Sequence, residues 1–406
     1  MDVLNVGPFS DISVLAVRAD EEACGHYRIE YPMTFLERGG AKVGVEKYFH
    51  PSLVKDFDII IAQRQYVDRS YDDLRQVKQL YHKTLIYEVD DNLHAVHPYS
   101  QAYSVYRPGS ETLRNVDKIM SICDGFFTTT PELASQYRSK CVRTWVLPNQ
   151  IDFGIRNWDG PFEKDPLLVA KINEVREKCG REPVVVGWAG SITHQDDWNA
   201  MPPIGEIMRK HPHVIFCMVS AYRIMEMFTT FLKADPERTV CLGPTTFTEF
   251  PPVLHNFDIG ICAVVNTEFN RAKSDLKILE YGAHSIPYVA TNIAPYTRFH
   301  LETQGQGGIL MGHPKNDGDF EKLVTDDDYR KKKSQFIGNY VRTERSMANN
   351  VWRWAEALRE AKAATAMGSD IKRQYYVKEK PERNDKCPCN SVDNKKYKSC
   401  CSPAWG

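Results

Sequence analysis

Short apolar runs separated by stretches of helical periodicity recur through most of this chain, and no other feature limits its fold as much. DISVLAVRA, FDIIIAQR, TLIYEVDD, GFFTTTP and RTWVLPN have the length and the bounding turns of strands covered on both faces. YPMTFLERGG and YDDLRQVKQLYHK carry helical spacing and read as intervening helices. Around residues 151–183 the pattern lapses into IDFGIRNWDGPFEKDP and a charged helix. A second series then begins with PVVVGWAGS, HVIFCMVS, RTVCLGP, FDIGICAVV, IPYVATN and GGILMG. Two successive doubly wound α/β domains with parallel sheets fit this better than one oversized sheet. The expected divisions are residues 1–155, 156–335, a helical segment 336–368 packing back on the core, a basic linker 369–383 and a cysteine-rich end 384–406.

Composition closes off several function classes. A formal net charge of −1 over 406 residues argues against a protein that coats nucleic acid along its whole surface, and leaves room for a local basic patch. There is no apolar run of transmembrane length, and the first residues lack the basic and apolar regions of a signal peptide. Seven of the eleven cysteines stand singly (Cys24, Cys123, Cys141, Cys179, Cys217, Cys241 and Cys262), the usage of reduced thiols in a cytoplasmic protein. No G-x-G-x-x-G follows any candidate strand, and GQGG at 305–308 reads as a turn. This counts against a nicotinamide or flavin enzyme.

Doubly wound sheets bind ligands beyond the carboxyl ends of their strands, which selects the polar residues to weigh. After PVVVGW comes AGSITHQDD. Gly190 and Ser191 let a backbone approach a ligand, a helix start offers N–H groups to an anion, and His194 adds a donor; a plain capped turn explains the same residues. In RAKSDLKILEYGAHSIP, Lys273, Lys277 and Glu280 are spaced by four and three and share one face of a helix. That face is either a solvated stripe or a cationic site. In the first half, His26, Tyr27 and Arg28 follow the first strand, and Asp90, Asp91 and His94 follow TLIYEV. The first group is either a cleft loop or a helix entry. The second is either an acid pair for an acceptor hydroxyl or an N-cap and turn.

GWAGSITHQDD, followed some eighty residues on by KSDLKILEYGAHSIPYVATN, resembles the donor-binding domain of GT-B glycosyltransferases, particularly family 4-like enzymes of phages and bacteria. CGHYRIEYPMTFL, IYEVDDNL, TTPELA and VLPNQID are similar to first-domain segments of that family, so the likeness runs over residues 11–365. It implies two Rossmann-like domains facing a cleft, the first binding an acceptor and the second a nucleotide-sugar, UDP- or GDP-linked. It implies transfer without a catalytic metal and with retained anomeric configuration, the leaving phosphate itself helping to deprotonate the acceptor. Lys273 and Lys277 would then stabilise the departing diphosphate, with His194 and Asp91 completing the catalytic set. Gly190, Ser191, His194, Lys273, Ser274, Lys277 and Glu280 would hold the donor, Glu280 on the ribose hydroxyls. His26, Tyr27, Arg28, Asp90, Asp91 and His94 would line the acceptor side. The sequence departs from the family at Ala272, eight residues ahead of Glu280, where a second glutamate often stands; Asn270 or Asp275 are the expected stand-ins.

The chain end has its own chemistry. KCPCNSVDNKKYKSCC sets Cys387, Cys389, Cys400 and Cys401 in two close pairs, which favours a closed tetrahedral structural zinc over disulfides. It resembles the SEC-C zinc motif, with a longer loop between the pairs. Residues 371–406 carry nine Lys/Arg against four Asp/Glu, a local +5, interleaved with Tyr375, Tyr376, Tyr397 and Trp405. Such a tail suits nucleic-acid contact, protein docking or a stapled linker. With no membrane anchor in view, the first expectation for the acceptor is a hydroxymethylated pyrimidine in DNA. A polysaccharide or protein acceptor, or a non-catalytic binding module, stands beside it, and the oligomeric state stays open.

Overall fold

The computed structural model describes residues 7–366 apart from 51, 99, 101, 142, 191 and 313–319, and for residues 192–195 the backbone alone. Ser191, the His194 side chain, the basic linker and Cys387, Cys389, Cys400 and Cys401 therefore lie outside the described residues.

Twelve strands form two sheets of six among the described residues. β1 (Ser13–Val17), β2 (Lys42–Glu46), β3 (Ile59–Gln63), β4 (Thr84–Glu88), β5 (Gly125–Thr128) and β6 (Thr144–Val146) are ordered β2-β1-β3-β4-β5-β6. β7 (Val184–Ala189), β8 (Val214–Val219), β9 (Thr239–Cys241), β10 (Ile259–Cys262), β11 (Tyr288–Thr291) and β12 (Gly308–Met311) are ordered β12-β11-β10-β7-β8-β9. Every pairing within the sheets is parallel, as in Val14↔Ile59 and Val185↔Ile215. All residues of β3, β4, β7 and β8 are buried, which explains their unbroken apolar runs.

β2 escapes the sequence reading because its KVGVE is a partly exposed edge strand with only two large apolar side chains. Gly44 at its centre is required by packing: a Cβ there would stand 2.8 Å from the Phe57 ring and 2.9 Å from Leu15.

The order of strands reverses between β1 and β3 in the first sheet and between β7 and β10 in the second, so each lobe has one switch point. Local signals set the helices around them. Thr130 caps Pro131–Tyr137, Asp165 caps Pro166–Cys179, and Gly180 closes the latter at φ +64, a left-handed turn that favours glycine.

The chain passes between lobes twice, side by side. Ile151 donates to the carbonyl of Arg345 and Met347 to that of Ile151, each at 2.8 Å. The helix Asp327–Glu344 stays on the second lobe, where Ile337 and Val341 close over Gly282. The next helix, Met347–Ala366, returns to the first lobe. There Trp354 packs edge-on to Phe127 and Glu360 accepts from the Trp145 indole at 2.7 Å.

Candidate active site

The carboxyl ends of the two sheets face each other, and the loops that leave them touch. Lys273, after β10, lies 3.5 Å from Asp91, after β4. Thr130, after β5, donates to the carbonyl of Ala272 at 2.8 Å. Tyr27, after β1, donates to Glu280 Oε1 at 2.9 Å. His97 Nδ1 lies 3.5 Å from Asp196 Oδ2.

The stretch around Lys273 differs from the single helix that spacing suggests. Thr267 caps a one-turn helix, Glu268–Arg271, and a new helix begins only at Leu276 and runs to Ala283. Between them Ala272 is tied to Thr130. Asp275, instead of capping, turns its carboxylate to Arg345 at 2.8 and 2.9 Å. Lys273 therefore reaches the interlobe region from a turn, while Lys277 and Glu280 reach it from the helix. Lys277 donates to the carbonyl of Ala189, the last residue of β7, which puts its ammonium across the second lobe's switch point. The same gap is bridged by Asp197, which accepts from Val265 N–H at 2.8 Å and from Asn270 Nδ2 at 3.2 Å.

Glu280 is buried and its carboxyl is held above the usual carboxylate range, chiefly by burial. Lys277, Arg156 and the Tyr27 hydrogen bond pull the other way. Ser274 accepts from Asn149 at 3.0 Å. Gly190 donates to Val219 O at 3.1 Å and accepts from Ser220 at 2.7 Å, with the Trp188 indole filling the place of a Cβ. A nine-residue 3-10 helix, Ile192–Ala200, follows.

Neither expected stand-in for the missing glutamate is available. Asn270 is committed to Asp197 and Val265 O, and Asp275 to Arg345. Ala272 itself is fully buried among first-lobe apolar side chains, so position 272 is a lobe contact.

On the first lobe the expected acceptor residues separate. Asp91 faces Lys273. Asp90 accepts from the Cys24 thiol at 3.1 Å, and burial beside that carboxylate pushes the thiol's pKa up. His26 stacks on Phe247 of the second lobe, ring centroids 4.6 Å apart. Arg28 is 1% exposed and carries structure: it pairs with Glu88 at 2.7 Å, donates to Leu147 O at 2.6 Å and Asn149 Oδ1 at 3.1 Å, and lies over Trp354. The His94 ring is tied to its own lobe, with Nδ1 3.2 Å from the Tyr137 hydroxyl and Nε2 2.9 Å from Asp117.

Three residues of this region were not legible. Arg64, at φ +44 after β3, pairs with Asp20 and donates its backbone N–H to Glu88 O. Arg156 and Asp152 come from the linker that read as a lapse of pattern. Arg156 is clasped by Asp152 and ringed by Tyr27, Tyr31, Trp158 and Phe247, with its guanidinium carbon 4.2 to 5.4 Å from their centres. An Asp and an Arg spaced by four, next to a tryptophan, were the only cue.

No family model matches this chain, and no curated protein matches it. Its fold matches solved structures. HepE from Anabaena, crystallised with UDP, superposes with a TM-score of 0.55 at 14% identity, over 86% of this chain and 100% of that one. Sucrose-phosphate synthase from Thermosynechococcus elongatus gives 0.54 at 11% identity, over 87% and 99%. A glycosyltransferase from Rickettsia africae gives 0.54 at 13%, over 86% and 98%. At such identities the likeness shows the fold alone: two facing parallel sheets, as in GT-B glycosyltransferases.

Proposed function

We propose that this chain is a nucleotide-sugar-dependent glycosyltransferase. The observation that carries the reading is that Lys277 spans the second lobe's switch point while Lys273 and Glu280, from the same stretch of chain, each pair with a residue of the first lobe. Lys277 and Lys273 supply positive charge for a departing diphosphate, as point charges at the head of the helix Leu276–Ala283. Glu280 offers a carboxylate to ribose hydroxyls. Gly190, Ser191, Ser274 and His194 belong to the same donor side in this reading. Asp91, paired with Lys273, sits where an acceptor hydroxyl would meet the donor. It orients that hydroxyl while the leaving phosphate takes its proton, which fits retained configuration and needs no metal. The solved relatives' complexes with UDP and UDP-glucose support a UDP-linked donor first.

For the acceptor, the first lobe's loops favour a neutral glycan over duplex DNA. Residues 18–22, 64–69 and 89–97 carry Asp20, Glu21, Glu22, Asp68, Asp90 and Asp91 against Arg18, Arg64 and Arg69. An excess of acid repels a polyphosphate backbone and suits hydroxyls. Tyr66, in one of these loops, stands edge to face with Tyr106 of the short helix Tyr103–Tyr106, 6.1 Å between centroids, and the pair adds ring surface for a sugar. The basic tail that pointed to DNA lies outside the described residues. Its four cysteines form, in this reading, a closed structural zinc site apart from the reaction. The seven other thiols are free, which suits a reducing compartment.

The test is mass spectrometry of products after offering UDP- and GDP-sugars with a glycan panel, hydroxymethyl-DNA and plain DNA. Sugar mass gained on a glycan supports the whole reading. Gain only on hydroxymethyl-DNA keeps the enzyme and reverses the acceptor. No transfer, no donor hydrolysis and no stabilisation by any nucleotide leaves a binding module of another kind.

A further inference from the structure

We infer that Tyr27 and Arg156 are positioning residues of the nucleotide site, through which the first lobe and the interlobe linker set the orientation and ionisation of Glu280. The inference rests on the reading of Glu280 as the nucleotide's carboxylate partner and moves Tyr27 from the acceptor side to the donor side.

From Arg156 to Glu280 the hydrogen bonds run in one direction. Asp152, fully buried, accepts from Arg156 at 2.9 Å and from the Trp158 indole at 3.0 Å. The same nitrogen of Arg156, Nη2, donates its second hydrogen to the Tyr27 hydroxyl, while Nη1 donates to Phe247 O at 3.4 Å. Tyr27 then spends its own hydrogen on Glu280 Oε1 at 2.9 Å. A cation donating to a phenol oxygen makes that phenol a stronger donor, so the charge of Arg156 is transmitted to a carboxylate it does not touch. The aromatic ring of neighbours removes competing water from Arg156. Among the described residues, the ionisable groups near Glu280 are Tyr27 and Tyr31 from the first lobe, Arg156 and Asp152 from the linker, and Lys277 and Tyr281 from its own helix, with the Cys262 thiol of β10 beside them. Burial drives Glu280 toward its neutral form, and the Tyr27 bond is one of the forces holding it ionised.

The hydrogen bond also crosses between lobes. Glu280 belongs to the second lobe and Tyr27 to the first, 253 residues away. A carboxylate placed by a partner on the opposite lobe is correctly set only while the lobes are together. Nucleotide affinity and lobe closure are therefore linked, because what stabilises one stabilises the other.

The test uses the full chain and calorimetric titration with UDP and GDP between about pH 5 and 8, on wild type, Tyr27→Phe, Arg156→Lys and Glu280→Gln. Tyr27→Phe is expected to weaken nucleotide binding roughly 10- to 100-fold, the worth of a hydrogen bond to a charged group. It should also move the acid limb of binding to higher pH, since Glu280 then protonates more readily. Arg156→Lys, which keeps the charge and loses the fork, should shift both in the same direction by less. A purely architectural tyrosine would lower thermal stability and leave the acid limb where it was. If wild type binds and Glu280→Gln does not, while Tyr27→Phe matches wild type in affinity and pH profile, the inference is overturned. Should Tyr27→Phe not fold, an Arg156→Lys variant identical to wild type in both readouts overturns it equally. Wild type that binds no nucleotide refutes the functional reading instead, and a Glu280→Gln variant that binds normally refutes the role given to Glu280.

Discussion

The Thr130 hydroxyl donates to the carbonyl of Ala272 at 2.8 Å, and the Ala272 methyl is fully buried against the first lobe. Restoring an acid there is therefore not a repair. Ala272→Glu buries a carboxylate with no partner and should destabilise the chain by roughly 3 kcal/mol or more. It should also weaken nucleotide binding by parting the lobes. Denaturant unfolding and a nucleotide titration check both; a stable variant with faster turnover would show that position 272 faces the sugar.

Lys277 reaches the carboxyl end of β7 from the helix Leu276–Ala283. Lys277→Ala should lower kcat by about 10²- to 10³-fold, the scale of losing one donor to developing negative charge. Steady-state kinetics on the preferred donor measure it. Normal turnover would remove Lys277 from the reaction.

Arg345 and Asp275 form a two-point ion pair, with both side chains about nine-tenths buried. Arg345→Ala strands the carboxylate and should cost about 3–5 kcal/mol. The double variant Arg345→Met with Asp275→Leu should recover most of that loss, because desolvation and attraction are removed together. Denaturant midpoints of the single and double variants decide between these outcomes.

His284 packs against Trp158 and Phe162, and burial, then the nearby His255, depresses its pKa from 6.5 to about 4. The folded chain keeps this ring neutral while the unfolded chain binds the proton below pH 6.5. The contribution is thus full above about pH 6.5 and is lost as pH falls toward 4. It amounts to about 3 kcal/mol at most. His284→Phe should flatten the stability profile in that window, as read by thermal melts across pH. An unchanged acid slope would assign it to other groups.

Metal removal separates the tail from the cleft. Purified chain should carry about one zinc. Chelation, or Cys389→Ser, should release it and leave nucleotide affinity unchanged. Loss of affinity along with zinc would mean that the tail contributes to the donor site.

Eleven of the twelve strands stand in the sequence as apolar runs bounded by turns, because a strand covered on both faces needs no alternation to reveal it. β2 was hidden, since an edge strand such as KVGVE buries too little to leave a pattern. Lys277 and Glu280 were legible because one helix carries both, and local spacing is written in order along the chain.

What the tertiary structure alone decided is which residues meet across the lobes. No periodicity announces that Tyr27 meets Glu280, that Arg156 stands behind it, or that Arg28 is spent on Glu88 inside the first lobe. Sequence determines faces, because a side chain's direction follows from its place in one element. Partners come from how two separately folded lobes dock. That docking is fixed by the summed burial and hydrogen bonding of residues more than a hundred positions apart, and no local window of the chain contains both sides of it.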